Sequence, residues 1–322
     1  MAKYILRRIL QLIPVLLCVS FLLFAVMELA SGNAVMNKFA DASDEQLQAA
    51  LHMYGYDRSV FYRYGKWLLG VIRGDFGTSI FYNKPVIDLF LQRAPATFKL
   101  SLAAIVVSHL ISIPLGIFSA KHQGSLADNG SMVLSIVGLS MPNFWLGLLL
   151  IVCFSLKLHW FPSSGDKNGI LSLVLPAITI GTGRTALLTR MTRTSMIDVI
   201  RQDYLRTARA KGVPEKRVIN KHAFKNALIP ITSVSFGEFS GILSGAVLTE
   251  TVFAWPGVGR LTVEALNQRD TPLLTGCIVL ITAFGCLVDV LRDVVFTFID
   301  PRIKASFVKP SKRRNRRNAV EE

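Results

Sequence analysis

Few polar residues fall inside the long apolar runs of this chain, and each is a candidate for chemistry: Arg184, Glu238, Glu250, Asp289, Arg292 and Asp293. Glu238 lies mid-run among Gly237, Ser240 and Gly241, small residues that permit close helix approach or line a pore. It is the residue expected to line a translocation path. Asn143 and Trp145, beside Pro142, are further candidates, and a kinked helix contact explains them equally well. Asp289 and Arg292 stand at i, i+3 and suit a structural ion pair on one helix face. Enzymatic sets do not assemble. His52, His109, His122, His159 and His222 are scattered, with no HExxH or comparable spacing. Cys18, Cys153, Cys277 and Cys286 all sit in apolar runs, which argues for buried inert thiols rather than disulfides or a metal site. No G-x-x-x-x-G-K-[ST] phosphate loop occurs; Gly181-Thr182-Gly183-Arg184 lacks the lysine and the spacing. The chain is therefore expected to bind no cofactor and to be no enzyme.

The elements that position these residues are apolar helices. Hydrophobic residues make up 51% of the 322, charged residues 18%, and mean hydropathy is +0.44. About six segments approach the ~20 residues a helix needs to cross hydrocarbon. They run near 9–30, 98–120, 132–157, 170–192, 228–251 and 273–299. The first follows Lys3, Arg7 and Arg8 but exceeds the apolar core of a secretory signal, so a retained anchor is expected. The fourth carries Gly181, Gly183 and Arg184 and reads as a span facing other helices; without it the termini would fall on opposite sides.

Charge sets the orientation. A net charge of +15 would ordinarily raise nucleic acid as a partner, but apolar runs with Lys and Arg gathered on one side account for it better. Residues 190–225 hold ten Lys/Arg against three acids, and 301–322 hold eight against two. With six spans, these segments and both termini share the cytoplasmic side. The 31–97 stretch is balanced, with seven bases and six acids, and reads as a small extracytoplasmic cap. The expected organisation is an N-terminal tail and first span (1–30), the cap (31–97), a transmembrane core (98–304) containing a polar segment at 195–227, and a basic tail (305–322).

That polar segment contains DYLRTARAKGVPEKRVINKHAFKNALIP, residues 203–230. Ser195 with Asp198 has the form of a capping box, so a helix is expected from about Met196 to Lys211. Gly212 sits where a helix end tolerates positive φ, and Pro214 suits the first turn of a second helix ending near Ala227. Two readings stand side by side. The pair is either an interfacial element holding anionic lipid headgroups or a docking element in which Tyr204, Ala208 and Ala210 offer a compact surface.

The wording DYLRTARAKGV…HAFKNALIP resembles the cytoplasmic coupling motif of ABC-transporter permeases, in the form found in the peptide/nickel importer family. Arg206, Thr207 and Ala208 occupy the motif's first three places and Gly212 its glycine; His222 and Lys225 stand where the general motif has Ile and Pro. Only Ala208 and Gly212 keep that general consensus. The similarity extends through ILRRILQLIPVLLCVSFLLF, GDFGTS, LSMPNFWLGLLL, FPSSG, LPAITIG, GAVLTETVFAWPGVGRL, Arg269-Asp270 and Asp300–Ile303, in order. Only the tail beyond Lys304 lies outside it.

What the resemblance implies is an all-α type I importer permease of about six transmembrane helices, in a bacterial or archaeal cytoplasmic membrane. It would pair with a homologous second permease, two cytoplasmic ATPase subunits carrying the ATP, and an extracytoplasmic solute-binding protein. Asp203, Tyr204, Arg206, Thr207, Ala208, Ala210 and Gly212 would form the ATPase-coupling site. Glu250 would order the Trp255-Pro256-Gly257 turn. The cargo would be peptides or nickel as a chelate; SMPNFWL, FAWPGVGR and the short 158–169 loop look closer to the nickel type. The rival classes are an ion-coupled secondary transporter, which needs a relay of intramembrane acids and paired half-repeats, and an intramembrane enzyme. Transport that requires a separate ATPase discriminates against both.

Overall fold

The computed structural model describes residues 2–29 and 33–299; the Asp300–Ile303 match and the 305–322 tail lie outside them. Among the described residues every regular element is helical, apart from one isolated bridge between Thr78 and Pro85. Helix α1 (Ala2–Leu29) runs through Pro14. The 31–97 stretch contains three short helices, α2 (Ala34–Lys38), α3 (Asp44–Met53) and α4 (Val60–Ile72). Ser43 and Gln46 close a capping box on α3, and Ser59 caps α4. Trp67 and Tyr64 of α4 pack on Phe24 of α1, each with ring centroids 5.4 Å from Phe24, which seats the cap on the first span.

Helix α5 (Val86–Lys121) is 36 residues long and reaches back into the segment expected to be loop. Its buried positions Thr97, Ser101, Ala104, Ser108, Ser112, Gly116 and Ser119 recur at helical spacing and are all small. In an apolar environment such a stripe lets another helix approach closely. The partner is α8 (Ile170–Ile200), reached after α6 (Leu126–Ser140) and α7 (Asn143–Leu150), which continues as a π-helical turn to Lys157. The fit is tight from both sides. A Cβ on Gly116 would lie 2.5 Å from Thr192 Cβ, and one on Gly181 would lie 2.8 Å from Ala104 O.

Two expectations about α6–α8 change. The third crossing is not one straight helix: its halves, 126–138 and 143–157, meet at 95°. Pro142 has no amide to donate and pushes Met141 to an extended ψ of 123°, which ends α6. The capping box at Ser195 does not form either. Helix α8 continues unbroken to Ile200, with Ser195 and Met196 buried inside it.

The remaining elements are α9 (Asp203–Ala210), α10 (Glu215–Arg217), a π-helical stretch from Val218 to Ala223, α11 (Phe224–Gly245), α12 (Val247–Val252), α13 (Val258–Asn267) and α14 (Thr271–Ile299). The second polar helix thus does not stop near Ala227 but runs directly into α11. Four helices among the described residues are by themselves long and apolar enough to cross a membrane: 10–29, 86–121, 170–200 and 271–295. The bent α6–α7 pair raises this to five. Helix α11, at 22 residues, has the length of a sixth, about 33 Å at 1.5 Å per residue, and packs against α8 and α14. As expected, α8 faces other helices: half of its apolar window is buried, the largest share of the four.

The cysteines follow the apolar helices, but not all are buried. Cys277 is buried, while Cys18 and Cys153 lie exposed on their helices, and no pair is bonded. The outer surfaces of α1, α5, α6 and α7 carry exposed Leu, Ile, Val and Phe, as helices facing lipid or a partner do.

Candidate coupling segment and translocation face

Helix α9 hangs beneath α8 and α11 by one apolar face. Leu205 is fully buried in a cluster with Leu188 and Met196 of α8, Val218, Ile219 and Ala223 of the π-helical stretch, and Ala227 and Ile231 of α11. Ala208 is half-buried and packs inward on that cluster. Of the other residues in the sequence-predicted site, Asp203, Tyr204, Arg206, Thr207 and Ala210 are exposed. The segment therefore splits: Leu205 and Ala208 anchor, and the remainder face outward.

The turn after α9 is fixed by local chemistry. Gly212 has φ +75°, its amide donates to Arg209 O at 2.9 Å, and Val213 N donates to Ala208 O at 3.2 Å. This is the left-handed helix ending that glycine adopts at little cost. Nothing lies within 4 Å of where a Cβ would stand, so any side chain here is opposed by φ and not by a neighbour. Across the turn, the Arg209 guanidinium donates to both Glu215 oxygens, at 3.0 and 2.9 Å. That bidentate pair holds the Glu215 carboxyl below the usual carboxylate range. Asn226 donates to the Tyr204 hydroxyl at 2.6 Å and ties α9 to the start of α11. The Asp203–Arg206 contact, 3.6 Å and almost fully exposed, adds little.

Above α9 a buried clamp joins three helices. Asp128, 1% exposed, accepts from Arg193 Nε and Nη2 at 2.7 Å each, from the Gly124 amide at 2.9 Å, and from the Ser119 hydroxyl. It locks the end of α8 to the α5–α6 turn. Sequence reading missed it, because the partners stand 65 residues apart and neither lies in a recognisable motif.

At the opposite end Glu250 is fully buried and organises a second turn, as the resemblance implied. Its carboxylate accepts from Thr97 Oγ1 at 2.6 Å and from the Arg260 amide at 2.9 Å, and its carbonyl accepts from Trp255 N at 2.8 Å. The turn it holds contains Ala254 at φ +49°. A Cβ on Gly257 would collide with the Glu250 carboxylate, so only glycine lets the chain pass there. Asp270, also fully buried, accepts from Ser79 Oγ at 2.6 Å and Phe81 N at 3.0 Å, and pins the cap to the start of α14.

The three path candidates do not share one place. Glu238 is buried on α11, and the Arg184 guanidinium of α8 lies over Gly241, about one turn further along α11. Asn143 meets α8 one residue away, where its amide oxygen would lie 2.5 Å from a Cβ on Gly183. Trp145 is half-exposed on an open apolar face with Ile136, Val137, Met141 and Phe144, a face that neither charge lines. Asp289 and Arg292 pair at 3.0 Å as expected, and Asp293 joins them by contacts to Arg292 and Arg8.

An all-helical bundle of long apolar helices with a short polar helix–glycine–turn segment between two of them defines a membrane permease core. Residues 112–305 match the binding-protein-dependent transport system inner membrane component, and residues 1–103 match the N-terminal component of the same systems. The chain belongs to that family: it is a permease-type membrane subunit of ABC transporters, not an enzyme. Similar proteins include the oligopeptide permease AppB of Bacillus subtilis, 39% identical over 94% of this chain and all of the relative. The di/tripeptide permease DppB of Pseudomonas aeruginosa is 37% identical and the dipeptide permease DppB of Escherichia coli 34%, each over 94% of this chain and 99% of the relative. Among solved structures, the fold resembles a chain of the inward-facing MetNI methionine ABC transporter, with a TM-score of 0.56 at 15% identity over 66% of this chain and 97% of that one.

Proposed function

We propose that this chain is one of two membrane subunits of a binding-protein-dependent importer that carries peptides across the cytoplasmic membrane, with both termini inside. Two separate ATPase subunits bind and hydrolyse the ATP, an extracytoplasmic binding protein delivers the cargo, and a homologous permease completes the path. The observation that carries this reading is α9, anchored by Leu205 and presenting Asp203, Tyr204, Arg206, Thr207 and Ala210 outward. Only Arg201 and Gln202 separate it from α8, and the Gly212 turn leads through α10 and the π-helical stretch into α11. A push on α9 is therefore delivered to two core helices at once, which is what a rigid-body, two-state switch requires. Lys211 and the other exposed cations of this segment suit the cytoplasmic side by the positive-inside rule. The peptide cargo is supported by the names of relatives that align over nearly the whole chain.

The test is uptake of a radiolabelled tripeptide by cells with and without this chain. Uptake should vanish on deletion, return on re-expression, and be lost equally when the ATPase subunits are removed. Competition by unlabelled di- and oligopeptides, but not by nickel chelates, is expected; competition by nickel alone would reassign the cargo. Uptake that survives loss of the ATPases would reject the importer reading in favour of ion-coupled transport.

A further inference from the structure

We propose that Glu238 and Arg184 form a binding site for the charged ends of a short peptide, with the carboxylate taking the ammonium and the guanidinium taking the carboxylate. The inference rests on the peptide-importer reading and goes beyond it to two residues. Glu238 is 5% exposed, and neither of its carboxylate oxygens has a hydrogen-bond partner. No cation stands within ion-pair distance of it among the described residues; the nearest turn of α11, at Gly241, is covered by the Arg184 guanidinium of the facing helix. Among the described residues Arg184 likewise has no hydrogen-bond or ion-pair partner, and it is half-exposed. The other intramembrane charges are unlike these two. Asp289, Arg292 and Asp293 satisfy one another, and Glu250 is saturated by donors.

A buried carboxylate with no donor is destabilising, and a ligand cation can remove that cost. Along α11, Glu238 is flanked by Gly237, Ser240 and Gly241, all half-exposed. The Arg184 guanidinium lies over Gly241, with Nη2 3.4 Å from where a Cβ would stand. Two opposite, unmatched charges on facing helices match a zwitterion. Ammonium and carboxylate ends are the groups that peptides of any side-chain composition share, so a path tolerant of sequence can hold its cargo by them alone.

The experiment uses the whole complex, this chain with its partner permease and ATPases, in nanodiscs without nucleotide or binding protein. Equilibrium dialysis with radiolabelled trialanine is compared with N-acetyl-trialanine amide, which carries neither end charge. Trialanine should bind saturably and the blocked analogue should not. Glu238→Gln and Arg184→Gln should each weaken trialanine binding about tenfold or more, and Asp289→Asn should leave it unchanged. Equal binding of the blocked analogue, no binding of trialanine to the wild-type complex, or binding untouched by Glu238→Gln overturns the proposal. Should Glu238→Gln fail to assemble, Arg184→Gln decides alone. Uptake assayed on the same wild-type preparation, with binding protein and ATP, separates the two levels. Uptake without binding sinks this site only, and absent uptake sinks the reading beneath it.

Discussion

Gly257 and Glu250 show how a single residue choice settles a turn. The buried carboxylate takes donors from Thr97 and the Arg260 amide, and occupies the space a side chain at 257 would need. Gly257→Ala must displace the carboxylate from those donors. Overpacking of this kind typically costs about 1–3 kcal/mol, so a clear drop in the thermal unfolding midpoint of the purified protein is expected. A midpoint equal to wild type would show that the turn is looser than its geometry implies. The Arg209–Glu215 pair has a pH signature of the opposite sign to a histidine's. Because the folded Glu215 carboxyl lies below its usual range, the support it gives the turn is present at neutral pH and is lost as pH falls through that lowered value. What was legible at this scale was local. Gly212 before Pro214 announced a positive φ, and Asp289 with Arg292 announced an ion pair. The hydrogen bonds of Asp270 and Asp128 were not legible, Asp270's motif notwithstanding, since their partners lie 191 and 65 residues away and only the fold brings them together.

At the scale of elements, hydropathy placed the apolar helices, but their ends were decided by contacts. The Ser195–Asp198 pattern has the right spacing for a cap, yet α8 continues through it because Met196 is wanted in the cluster that holds Leu205. Pro142 suits a kinked contact in the sequence and makes a full break in the fold, since α7 restarts at a 95° angle. The Asp128–Arg193 clamp is what makes α8 and the α5–α6 turn move together. Arg193→Leu would leave a buried carboxylate with its remaining donors only, a loss on the order of 3–5 kcal/mol. The variant should show lowered thermal stability and faster proteolysis in the 121–126 turn. Asp128→Asn, which keeps the shape and removes the charge, should be milder. Equal stability of all three proteins would mean that α8 is held by its small-residue seam with α5 alone.

At the scale of the whole molecule, the fold class and family were legible because an ordered series of motifs spans nearly the entire chain, whereas the broken third crossing and the long α5 were not. Orientation follows if the bent α6–α7 pair and α11 each complete a crossing. A cysteine at Glu45 in the cap should then react with a membrane-impermeant thiol reagent in intact cells, and one at Lys216 beside α9 should not, in a background lacking the native cysteines. Both positions are exposed, so a failure to label reports sidedness and not burial. The central claim, that the 203–212 segment couples ATP hydrolysis to movement of the core helices, is tested by Gly212→Val in the reconstituted transporter, with peptide uptake and ATP hydrolysis measured side by side. A β-branched residue at φ +75° is strained by about 1–3 kcal/mol with no neighbour displaced. Peptide imported per ATP should fall about fivefold or more while the ATPase subunits still co-purify, and Gly212→Asn, which tolerates this φ, should stay near wild type. A Gly212→Val transporter with wild-type uptake per ATP would contradict the account.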